Sequence, residues 1–238
     1  MEFLIIFLFL AFAFLDALAQ LPKHIGGAMS LGGVAFTVSN IMHTVKRLFV
    51  VSYPPVIAIY LLSAGLESLF RIIFICYFGA AAIAGLVFIK KDVFQKLLAR
   101  QIYAFGSGGS LWKPWKWGEV PDFAVNAPDN SDGKIVEVRL FLSALWIHFF
   151  FGSVYFLINV LGYTFKEYSS VILQLTGFVN AMGTLILAFY LDPVLARVFE
   201  RDRERADVAL RSVLLAQIVN FGIVSPVFFF ILSFFLFK

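Results

Sequence analysis

The sequence predicts an all-α protein: a polytopic membrane bundle of about six transmembrane helices around a polar internal cleft. Three observations carry that reading. The chain is 61% hydrophobic with a mean hydropathy of +0.90 and 30 Phe, more apolar surface than a water-soluble core of 238 residues can hide. Its apolar stretches have the length needed to cross a hydrocarbon layer. Its basic residues are concentrated, eight between 90 and 139 and five between 192 and 211 out of nineteen, the asymmetry that orients membrane proteins.

The first span is predicted over 3–19, FLIIFLFLAFAFLDALA. Ala17-Leu18-Ala19 resembles a signal-peptidase site, but the start lacks a cationic region and Asp16 would abut the cut, so an uncleaved span is expected. Asp16 is either an interfacial carboxylate or an intramembrane partner for Lys46, Arg47 or Arg71. A short connection with Lys23, His24, Gly26 and Gly27 leads to the second span, 30–52. That span carries Asn40, His43, Lys46 and Arg47 and is expected to stop at Pro54–Pro55, with Pro55 as a structural breaker.

Asn40, His43 and Arg47 are spaced i, i+3, i+7, which places them on one helical stripe. Ionisable groups at such depth are costly unless they face protein, water or a ligand. Two readings stand: a cationic lining of an internal cavity, or Lys46 and Arg47 snorkelling to headgroups. Because consecutive helical residues point about 100° apart, Arg47 in the cleft would send Lys46 toward headgroups or a neighbouring helix. The segment 52–68 could be re-entrant, interfacial, or the start of a tilted third helix. The third span is predicted over 69–89, with Glu67 and Arg71 at its head forming a local i, i+4 salt bridge.

Residues 90–139 form the long polar loop. DVFQKLLARQIYAF has amphipathic spacing, GSGGS (106–110) is a joint, and WKPWKW (112–117) interleaves Trp and Lys as interfacial anchors do. The same interleaving can bind single-stranded nucleic acid, but no nucleic-acid partner is expected between membrane spans. The fourth span is 140–161, with His148 and Asn159 inside it. The fifth is 169–191, with Asn180, and ends at Asp192-Pro193; Asn180, Asp192 and Pro193 are read as structural. A charged helix follows, with Glu200/Glu204 and Arg201/Arg205 as a solvated ladder. The sixth span is 213–237. The positive-inside rule makes 90–139 and 192–211 cytoplasmic and both termini external, with Lys46 and Arg47 toward the outer half of the second span.

No enzyme constellation is present. There is no HExxH, no GxSxG elbow and no phosphate-binding GKS or GKT loop, which excludes the commonest hydrolase and ATPase chemistries. His24, His43 and His148 are scattered, and Cys76 is single, so no metal set and no disulfide framework is expected. No cofactor is expected. Such a bundle suits the passage of an anionic or amphiphilic solute. Function classes compatible with it are a flippase for a lipid-linked anion, a small secondary transporter or channel, and a non-transport membrane subunit.

The segment NAMGTLILAFYLDP (180–193) resembles the corresponding stretch of the Amj-type alternative lipid II flippases. LDAL (15–18), the Asn40…Arg47…Pro55 framework, FRIIFICYFGAAAIAGLVF (70–88), LLAQ (214–217) and Pro226 are similar in the same order; His43, Lys46, Pro54 and the 111–137 loop depart from that pattern. The resemblance implies export of the undecaprenyl-pyrophosphate-linked peptidoglycan precursor from the inner to the outer leaflet of the cytoplasmic membrane, and hence a role in cell-wall biogenesis and cell shape. It implies membrane lipids and the lipid-linked precursor as partners. On this view Arg47, with Lys46 or Arg71, holds the diphosphate beside His43 and Asn40, while Asp16 and His148 balance or release that charge.

Overall fold

In the computed structural model, residues 1–106 and 136–238 are described, apart from the side chains of Asn180, Glu200, Arg201, Arg203 and Glu204. The GSGGS joint beyond Gly106, the WKPWKW segment and the loop through Lys134 lie outside the described residues, as does the Asn180 side chain and with it the structural role expected there. Every described element is helical: α1 Glu2–Leu18, α2 Leu21–Met29, α3 Gly32–Ile89, α4 Lys91–Gly106, α5 Val138–Thr164, a 3-10 turn Lys166–Tyr168, α6 Ser169–Ile186, α7 Asp192–Arg201, α8 Arg203–Val219 and α9 Ser225–Leu236. Two π-helical turns, Leu187–Leu191 and Asn220–Val224, join α6 to α7 and α8 to α9. Five helical runs are long and apolar enough to cross a membrane. The chain is a multi-pass helical membrane bundle.

The expected second and third spans belong to one helical run, α3, which turns at Gly65 (φ 76°, ψ 176°). That conformation is open essentially to glycine alone, and Gly65 divides α3 into legs of about 50 Å and 35 Å at 1.5 Å per residue. With that turn counted, the chain crosses the bundle six times. Pro54 and Pro55 do not end the helix. They remove two backbone donors, but a helix sheltered by neighbours tolerates that loss, and the break comes later, where a residue can take positive φ. The segment 52–68 is therefore the far end of the first leg followed by the turn.

The first leg of α3 pairs antiparallel with α1 and α2 together. Tyr60 Oη donates to Glu2 Oε1 (2.7 Å), Lys46 Nζ to Asp16 Oδ1 (2.6 Å) and Ser39 Oγ to the Ala19 carbonyl (2.6 Å). Gly26 lies so close to Ala35 that a Cβ on it would sit 2.2 Å from the Ala35 Cβ. The stretch expected to be a short connection is thus helix α2, which prolongs the first crossing. Asp16 and Lys46 consequently sit midway along this hairpin, neither at a span end nor in its outer half.

The second leg returns alongside α1, with Gly79 against Leu10, and the α4 ring of Phe94 meets Phe14 edge-on. α4 buries Gln95, Leu98, Ala99 and Ile102. The two basic stretches meet at one end of the bundle. There Lys91 pairs with Asp207, Arg205 Nη2 with Glu137 Oε1 (3.0 Å), and Arg211 Nε with Asp207 Oδ2 (2.6 Å). Both termini lie at the other end, where Glu2 bonds Tyr60 and the Phe237 ring packs on Phe70.

Asp192-Pro193 was expected to stop the fifth span, and it does not. Pro193 lies in the first turn of α7, where its missing N–H would be unpaired in any case, and the helix continues to Arg201. The preceding π turn widens the backbone before the pyrrolidine ring. The same device recurs before Ser225-Pro226.

Candidate functional site: an open cavity backed by a buried charge cluster

Four helices converge on Asp16, which is 3% exposed. Its Oδ1 accepts from Lys46 Nζ at 2.6 Å, and its Oδ2 lies 2.8 Å from His148 Nδ1 and 3.5 Å from Gln217 Nε2. Gln217 also donates to the Ala13 carbonyl (3.1 Å). α1, α3, α5 and α8 are thereby tied together near the middle of the bundle. The Lys46 ammonium, 2% exposed, stands 4.8 Å from the Phe151 ring centroid and 5.9 Å from that of Phe12, close enough for the ring faces to attract it. Of the two alternatives for Asp16, the structure selects the intramembrane partner, and the partner is Lys46.

Beyond this cluster, toward the Gly65 end, lies an aromatic core. The Phe9 ring meets Tyr53, Tyr77, Phe156 and Phe221 with centroids 5.1–5.8 Å apart. Tyr53 and Tyr155 are buried with hydroxyls that have no hydrogen-bond partner among the described residues. Ser153 and Ser225 share a hydrogen bond (2.6 Å), and Ser225 donates to Asn220 Oδ1 (3.2 Å).

On the adjacent face of the same α3 leg, about 100° around the helix, is a cavity of about 380 Å³. One wall is Phe36, Asn40, His43 and Arg47. The other is Thr184, Leu187, Ala188, Asp192, Pro193 and Ala196, from α6, the π turn and α7. Asn40 and Arg47 are exposed at its mouth, and Arg47 makes no hydrogen bond or ion pair among the described residues. His43 is 6% exposed, and among the described residues neither of its ring nitrogens has a hydrogen-bond partner. The stripe predicted from sequence therefore does line a cavity, with three of its members together.

The cavity is closed below by a contact that sequence reasoning missed. Lys23 of α2, 6% exposed, holds Asp192 Oδ1 at 2.6 Å. α2 and α7 approach closely because a Cβ on Gly27 would fall 2.1 Å from the Phe199 carbonyl oxygen. No sequence signal pointed to this pair: Lys23 lies in α2 and Asp192 begins α7, 169 residues later, and only the packing of those two helices brings them together. Asp192 is thus an ion-pair partner and a cavity residue as well as the start of a helix.

The other expected site residues divide clearly. Lys46 and Asp16 are not in the cavity, because Lys46 points to α1 and they neutralise each other behind the wall. His148 belongs to that buried cluster. Arg71 is exposed on the second leg, six residues past Gly65, which leaves it about 18 Å from Arg47 along the bundle axis (about 27 Å up the first leg and about 9 Å back), and it takes no part in the site. It forms no ion pair with Glu67. Among the described residues no group of three His, Cys, Asp or Glu is placed to hold a metal ion. No protein-family profile, curated protein or solved structure matches the chain.

Proposed function

We propose that this protein is a carrier for a lipid-linked anion, namely the undecaprenyl-pyrophosphate-linked peptidoglycan precursor (lipid II), which it moves from the inner to the outer leaflet of the cytoplasmic membrane. The observation that carries the proposal is the cavity wall of Asn40, His43 and an unpaired Arg47. An unpaired guanidinium at membrane depth is costly without an anion or water beside it, and its planar donors match phosphate oxygens. A diphosphate cannot cross hydrocarbon unaided, and this wall would shield it from lipid. The prenyl chain stays outside, along α6 and the π turn that follows it, where Val171, Phe178 and Leu185 of α6 and Phe189 of the turn are exposed.

The chain acts by binding and exchange between leaflets, without bond chemistry. Asp16, Lys46 and His148 hold the wall in place, and Lys23–Asp192 closes the cytoplasmic floor. Complementation tests this reading: the chain is expressed in cells depleted of their own lipid II flippase. Survival with lipid II restored to the outer leaflet is expected; lysis at verified membrane expression would contradict it.

A further inference from the structure

We infer that the cavity reads the phosphate of a polyprenyl carrier and leaves the head attached to that phosphate unread. The inference rests on the carrier function proposed above and narrows it to a substrate class: polyprenyl diphosphates, with or without a sugar–peptide head.

Three observations carry it. The polar groups of the wall are those that hold a phosphate: the Arg47 guanidinium and the buried His43 ring nitrogens, all without a partner among the described residues, and the Asn40 amide. Each can donate to an anionic oxygen, and together they supply a permanent charge and neutral donors along one stripe. The facing wall offers little else. Leu187, Ala188, Pro193 and Ala196 are apolar, which suits the first isoprene units; Thr184 adds one hydroxyl, and the Asp192 carboxylate is already engaged by Lys23. Among the described lining residues no free carboxylate remains to take an ammonium of a peptide.

Size gives the third observation. About 380 Å³ lies at the lower end of the ~300–1,000 Å³ spanned by pockets for small ligands. That holds a diphosphate and the nearest prenyl carbons, whereas a disaccharide carrying a peptide is several times larger. The head must therefore stay at or beyond the mouth, where the described residues give it no shaped surface, and a carrier that reads only phosphate cannot tell a bare diphosphate from a decorated one.

The test uses the full chain purified in detergent, with direct binding of radiolabelled lipid II and, separately, of radiolabelled undecaprenyl diphosphate. Undecaprenol and inorganic diphosphate serve as competitors. The inference predicts that the two lipids bind within about threefold of each other. Arg47→Ala and His43→Ala should weaken both by the same factor, about tenfold or more for the arginine, in variants whose melting temperature matches the parent's. Undecaprenol should not compete, and inorganic diphosphate should compete far more weakly than either lipid.

Binding of lipid II without binding of undecaprenyl diphosphate would overturn the inference while leaving the flippase reading intact. Binding of undecaprenyl diphosphate without lipid II would overturn the inference, because the head would then be discriminated against, and would also remove lipid II as the substrate. Inorganic diphosphate competing as well as the lipids would overturn the lipid part of the inference, and no binding of either lipid would overturn both proposals.

Discussion

Consecutive residues on a helix point about 100° apart, and Lys46 and Arg47 divide accordingly, one into the bundle against Asp16 and the other to the cavity mouth. Their substitutions should therefore fail in different ways. Removing one partner of a buried ion pair leaves the other charge uncompensated and costs about 3–5 kcal/mol. Lys46→Ala is expected to lower the folded yield and melting temperature, a larger effect than a headgroup-facing lysine would give. Replacing Asp16 and Lys46 together by Leu and Met should recover most of that loss, because two apolar groups leave no orphan charge. Thermal melting in detergent of the two single variants and the double variant checks this; a double variant as unstable as the worse single one would show that the cluster acts through His148 and Gln217 instead. Arg47→Ala, by contrast, should fold normally.

At this scale much was legible. The i, i+3, i+7 stripe of Asn40, His43 and Arg47 marks a cavity wall because the three share a helix face. Which way Lys46 turns also follows from helix geometry, once Arg47 is assigned to the cleft. The partner of Asp16 was readable only as one of three cations, since tertiary pairing depends on the register between α1 and α3, and a single sequence does not contain it. Arg71 was grouped with the site by charge alone, and the turn at Gly65 carries it to the far end.

At the scale of elements, two features decide the architecture: the Gly65 turn and the α2–α7 floor. A Cβ on Gly65 would meet nothing within 4 Å, so Gly65→Ala tests backbone conformation without steric interference. It should destabilise the protein by about 1–3 kcal/mol, the cost of holding alanine in a glycine-only region, read as a lower melting temperature. An unchanged melting temperature would mean that the turn relaxes without loss. At the floor, Asp192→Asn removes the partner of buried Lys23 and should loosen α7 from α2, seen as faster hydrogen exchange over 192–201. Unchanged exchange there would show that the Gly27–Phe199 contact suffices.

Element boundaries were less legible than element identity, for one physical reason. Gly26 and Gly27 read as part of a connection, and Pro54–Pro55 and Pro193 read as stops, because each weakens an isolated helix in water. Inside a bundle the same residues serve packing. Glycines let helices touch, Pro193 sits where a first turn after a π turn absorbs the missing donor, and Pro54 and Pro55 are carried inside α3 among sheltering neighbours.

At the scale of the whole molecule, six crossings bring both basic stretches to one end and both termini to the other. Ion pairs between the two stretches, such as Arg205 with Glu137, hold that end together. The positive-inside rule assigns it to the cytoplasm. A membrane-impermeant thiol reagent applied to intact cells should label a cysteine at Glu167 and leave one at Lys96 unlabelled; both positions are exposed on the protein surface. The reverse pattern would invert the orientation and, with it, the direction of transport.

The central claim is that an anionic lipid head crosses the membrane against the wall bearing Arg47. The measurement that tests it most directly is outer-leaflet exposure of lipid II, read by protection from or access to an external lipid II-cleaving enzyme. Cells depleted of their own flippase would express the parent chain, Arg47→Lys or Arg47→Ala at matched membrane levels. The account predicts full exposure with the parent, partial exposure with lysine, which keeps the charge but not the planar fork, and exposure at the depleted background with alanine. An Arg47→Ala protein that folds and exposes lipid II as the parent does would contradict it.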